Sequence, residues 1–174
     1  MPSTDKGDTF AKLNDSNAKI CEFPPGLPRP DDIRNWGVSV EAALTHHGLT
    51  EVASGSIPDG TFDKIWSDRA LVPLPAPPDG ASWGDMMKYR QHLDEIEKRK
   101  AHNETIMAKR RTYWRDKTNV LFQLLTDSMV RTAPALRDTL RAKYARGDGF
   151  YDGVGAKAYI ESWCRVMATI APGL

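Results

Sequence analysis

The sequence is poor in cysteine, in long apolar runs and in net charge, and each shortage removes a class of protein. Two cysteines, Cys21 and Cys164, are too few for the disulfide framework of a small secreted domain, and neither stands in a metal-ligand spacing. The first residues, MPSTDKGDTFAKLNDSN, have no apolar core of the kind a signal peptide carries, so a reducing, cytoplasmic setting is expected. No apolar run approaches the roughly 18 to 20 residues of a membrane-spanning helix, and no membrane partner is expected. A net charge of +1 over 174 residues gives no global attraction to nucleic acid or acidic lipid, so any such attraction has to be local.

Catalytic and cofactor signatures are missing as well. GDGFYDGVG has neither the lysine of a phosphate-binding loop nor a preceding strand. HExxH, paired CxxC and GxSxG do not occur. Asp94, Glu95 and Glu97 are read as solvated partners of Lys98, Arg99 and Lys100 on a charged helix face. The expectation is a non-enzymatic protein with no catalytic residue, no metal, no cofactor and no small-molecule substrate.

What is present is helix. Hydrophobic residues make up 40% of the chain, enough for one ordinary core or two small lobes. Residues 1 to 31 read as an irregular arm, since Pro24, Pro25, Pro28 and Pro30 forbid helix; Phe10, Leu13, Ile20 and Phe23 are its expected anchors. Pro30 and two aspartates then announce a helix over about 32 to 47, with Ile33, Trp36, Val40 and Leu44 on one stripe and Gly48 as its stop. TFDKIWSDRALVPL suggests a short helix carrying Phe62, Ile65 and Trp66, and PLPAPPDG a loop. From Ser82 to about Val130 there is no proline and, after Gly84, no glycine. The stripe of Met86, Tyr89, Leu93 and Ile96 meets Lys100 and Asn103, so two helices are expected, about 83 to 102 and 105 to 130, continuous or bent near His102-Asn103. Thr132 is read as the cap of a further helix with Leu136, Leu140 and Tyr144 on one face, and a last helix is expected over about 156 to 170. The fold class is all-α, a bundle of about five to six helices, divided into the arm, a helical domain over 32–146, and a hinge with a terminal helix over 147–174.

The strongest local charge feature is basic. Lys98, Arg99 and Lys100, then Lys109, Arg110 and Arg111, lie close to Tyr113 and Trp114 and could follow a phosphate backbone weakly and without reading bases. A solvated helix face explains the same residues.

Three segments together resemble the Gag capsid region of copia-type LTR retrotransposons. NWGVSVEAALTHHGLTEVASG carries Trp36, an apolar stripe through Leu44, then Gly-Leu and a valine before glycine. YWRDKTNVLFQLLTDSMV carries Trp114, Asp116 and the apolar Leu121 and Leu124. TAPALRDTLRAKY matches the family's spacing at Ala133, Leu140 and Tyr144, with Arg137 where that family has tryptophan and Leu136 beside it. Phe10 with Asn14 or Asn17 echoes the family's opening motif, the proline-rich insertion carries Trp36 away from it, and no zinc knuckle follows. The resemblance implies a retroviral-capsid-like fold that self-associates into a shell around retrotransposon RNA, in a capsid fragment, a truncated element or a domesticated descendant. Its partners would be further copies of itself, and RNA. A helical adaptor binding one protein through its proline-rich loops or last helix, and a weak nucleic-acid binder using residues 98 to 117, remain alternatives.

Overall fold

The computed structural model describes residues 18–170. Phe10, Leu13, Asn14 and Asn17 of the arm, and the closing Pro172-Gly173-Leu174, lie outside the described residues. Among the described residues the chain is all-α, with five α-helices and no strand. It divides into two compact units, one of residues up to Pro58 together with Trp114 onward, the other of Asp59–Tyr113.

The first unit begins with the arm folded onto a core. Phe23 is fully buried, and its backbone N–H donates to the carbonyl of Ser128 at 2.8 Å. Helix α1, Pro30–His46, starts where proline at the first turn needs no amide partner and Asp32 accepts the Arg29 N–H at 3.2 Å. It ends in a Schellman motif around Gly48, whose φ of 62° is the left-handed geometry glycine adopts without strain. The Leu49 N–H reaches back to Leu44 O at 2.7 Å and the Gly48 N–H to Thr45 O at 3.2 Å. Leu44 and Leu49 are both buried, which supplies the apolar contact that motif favours. A single turn, α2 (Thr50–Ala53), follows directly.

Helix α3, Trp83–Asp127, is one continuous helix of 45 residues, without the division at His102-Asn103 that the charge pattern allowed. Its last part, from Trp114, belongs to the first unit. There Leu121, Leu125 and the following Met129 are completely buried with Leu140 of α4 (Pro134–Tyr144) and Ile160 of α5 (Gly153–Ile170). Each such side chain contributes about 1.5–3 kcal/mol through burial. Thr118 and Thr126 share this interior because their hydroxyls donate to Trp114 O and Phe122 O, each at 2.9 Å. The terminal helix docks on the same core through Ala156, Ile160 and Cys164. Gly153 makes that approach possible, since a Cβ there would lie 2.3 Å from Thr118 O and 2.8 Å from the Phe122 nitrogen.

Two helix starts differ from the sequence reading. Ala133, not Thr132, precedes α4, and the Thr132 hydroxyl is buried without a partner. Helix α5 opens at Gly153, not near 156, because Asp152 caps it by accepting the Gly155 N–H at 3.0 Å. The glycines that read as hinge are therefore partly the first turn of a helix.

The second unit pairs the α3 segment up to Tyr113 with the chain from Asp59 to Ser82. No α-helix forms around Phe62, Ile65 and Trp66; the only helical turn there is 3-10, Asp68–Leu71. The spacing of three large apolar residues mimics a helical stripe, but Ile65 and Trp66 stay exposed and the segment lies extended. Helix α3 supplies the partners its backbone would otherwise have sought in its own helix.

Candidate functional site

The extended segment is a strap laid on α3, and it is held mainly by its backbone. The Asn103 side chain bonds Trp66 twice, accepting from its N–H and donating to its carbonyl, both at 2.8 Å. His102 bonds Lys64 O at 3.3 Å, Arg99 donates to Ala70 O at 3.5 Å, and His92 accepts the Leu74 N–H at 3.4 Å. Phe62 packs edge-on against Tyr113 with ring centroids 5.6 Å apart. The strap thus runs opposite to the helix. Between Tyr113 and His92 the helix rises about 31 Å, a span the chain from Phe62 to Leu74 covers only when nearly extended.

This explains why the apolar stripe lapses. Ile96 and Ile106 are buried on the strap face, and Arg99 and Asn103 lie between them in the same register. An extended backbone brings amides and carbonyls that need partners, so polar side chains occupy positions an apolar neighbour would have filled.

The six basic candidates do not act as one patch. Arg99 is turned onto the strap, its guanidinium 4.4 Å from the Trp66 ring centroid and its Nε 3.2 Å from Glu95. Arg110 is half-buried, with its Nε buried and unbonded. Lys98, Lys100, Lys109 and Arg111 are exposed and, among the described residues, have no ion-pair partner. At about 100° per residue, Lys98 and Lys109 fall on one flank of the strap face and Lys100 and Arg111 on the other, each roughly a quarter turn from its centre and about 200° apart across it. Trp66, between the flanks, was missed as a site residue. Its signal in the sequence was an aromatic residue beside a proline-rich breaker, but nothing there pointed to Asn103.

Most of the residues on which the resemblance rests lie in or against the core. Trp36, Leu44, Leu121 and Leu140 belong to one buried cluster, with Leu124, Ala133, Leu136 and Tyr144 packed against it. Trp114 is half-buried. Arg137 lies along α4 and pairs with Asp138 at 3.0 Å.

Other chemistry is sparse. Among the described residues no three His, Cys, Asp or Glu side chains converge to hold a metal, and no helix is long and apolar enough to cross a membrane. A cavity of about 330 Å³ lies beside Asn119, Gln123, Arg141 and Tyr151. Asn119 repeats the Asn103 device there, donating to Gly149 O at 2.9 Å and accepting from the Tyr151 N–H at 2.7 Å. Burial, with Glu161 as a smaller cause, pushes the Cys164 thiol up to about 11. Comparison with family models, with curated proteins and with solved structures finds no match.

Proposed function

We propose that the chain is a non-enzymatic, capsid-like structural protein that self-assembles into a shell enclosing RNA. The observation that carries this reading is apolar surface left outside both cores. Trp83 is 79% exposed, Val72 64% and Leu74 61% in the strap-and-helix unit, and Leu27 62% and Val38 61% in the other. Large apolar side chains left exposed favour a protein partner. A second copy is the simplest such partner, because contacts that are individually weak become strong when repeated through a closed assembly. The resemblance supports the same reading, since its matching residues make up much of the first unit's interior.

Surface variants test it. Replacing Val72, Leu74 and Trp83 with glutamate should leave helix content unchanged by circular dichroism and abolish the particles that negative-stain micrographs of the wild type are expected to contain. Particles that persist in the triple variant contradict the reading. The free cations at Lys98, Lys100, Lys109 and Arg111 favour RNA as the enclosed cargo, held weakly and with marked salt dependence.

A further inference from the structure

We propose that Trp66 is a base-stacking platform, and that the outer surface of the strap on α3 binds single-stranded nucleic acid with Lys98 and Lys109 on one flank of the helix and Lys100 and Arg111 on the other. The proposal rests on the RNA-enclosing part of the function above and names the contact.

Trp66 is exposed yet immobilised. The residue is 44% exposed, although both its backbone groups are bonded to Asn103 and its ring sits on the Arg99 guanidinium. Arg99 is in turn held by Glu95 and by the carbonyl of Ala70. A tryptophan serving only as filler would be covered. This one is ordered before any ligand arrives, so little conformational entropy remains to be lost on stacking. The cation beneath the ring adds positive potential at the place where a nucleotide would lie.

The surrounding charge suits a phosphate chain. From Lys98 to Arg111 the sequence has six cations and one carboxylate, Glu104, and the four exposed cations lie on the two flanks of the helix, about a quarter turn from the strap. A strand crossing the helix would meet cations before and after the base that stacks. Stacking demands an exposed base face, which a duplex hides, and every base has such a face, so the site takes unpaired nucleic acid without sequence preference. The near-neutral charge of the whole chain keeps the affinity modest.

Fluorescence anisotropy on the full chain tests the proposal, using end-labelled oligouridylate and an abasic phosphate oligomer of equal length over a salt series. Wild type binds the oligouridylate about tenfold more tightly than the abasic chain. Trp66→Leu removes that difference and leaves the salt slope unchanged, while Trp66→Phe keeps most of it. Lys98, Lys100, Lys109 and Arg111 changed together to glutamine flatten the salt slope for both oligomers. Equal binding of the two oligomers by wild type, or an unaltered preference in Trp66→Leu with the strap still resistant to protease, overturns the stacking role. Sedimentation of the same samples without nucleic acid separates the two readings: assembly without base preference refutes the platform and leaves the shell standing.

Discussion

Asn103 pairs with Trp66 as one strand of a sheet pairs with the next, exchanging an N–H and a carbonyl bond across two 2.8 Å contacts. A helix cannot normally extend a sheet, because its own amides are spent. One asparagine amide supplies both a donor and an acceptor in the right geometry, which lets an extended strap lie on α3 without leaving its backbone unsatisfied.

Asn103→Ala should therefore release the strap and leave the first unit intact. Losing both bonds costs about 1–3 kcal/mol of local stability. Hydrogen exchange at the Trp66 amide is expected to rise toward the rate of an open loop, with Leu121 and Leu125 amides unchanged. Asn103→Asp keeps the acceptor and loses the donor, and should fall between the two. Equal protection of Trp66 in wild type and Asn103→Ala would show that side-chain packing holds the strap.

Two glycine substitutions should shift stability in opposite directions. At Gly153 an added Cβ meets the α3 backbone 2.3 Å from Thr118 O, so Gly153→Ala must push α5 away and should cost about 1–3 kcal/mol. Gly37 lies inside α1 with nothing within 4 Å of its would-be Cβ. Gly37→Ala should add about 0.5–1 kcal/mol by restricting the unfolded chain and favouring helix. Urea unfolding curves of both variants measure the two signs together.

Cys164 should make the protein sensitive to alkali. Its thiol is raised from 9.0 to about 11, first by burial and then by Glu161, so the folded state holds the proton longer than the unfolded state. The stabilisation is complete below pH 9 and is lost as pH rises from 9 to 11, by up to about 2 kcal/mol. Unfolding curves of wild type and Cys164→Ala should converge across that window. A thiol reagent near pH 8 should modify exposed Cys21 quickly and buried Cys164 only on unfolding.

Local signals were legible in the sequence wherever neighbours in the chain decide the structure. Pro30 with Asp31 and Asp32 marks the start of α1 and Gly48 its stop, and Leu121 and Leu140, picked out by their apolar spacing on two helices, lie in the core. What failed depended on partners far along the chain. Phe62, Ile65 and Trp66 have a helical spacing, but Trp66 is fixed by Asn103, 37 positions away, and no local pattern carries that pairing. The same distance hid the candidate site. The basic run is visible as composition, whereas the turning of Arg99 onto Trp66 follows only once the strap is in place. Thr132 illustrates a smaller limit: threonine is a good cap by type, yet Ala133 holds the position ahead of Pro134 and the hydroxyl is left buried.

Sedimentation velocity of the wild-type chain over a hundredfold range of concentration, at low and high salt, tests self-assembly most directly. The predicted result is a weight-average sedimentation coefficient that climbs with concentration and ends in fast-moving particles, with the growth favoured by high salt if the apolar side chains Val72, Leu74 and Trp83 drive it. A single boundary at the value of a 19.4 kDa monomer under every condition would contradict a capsid-like role.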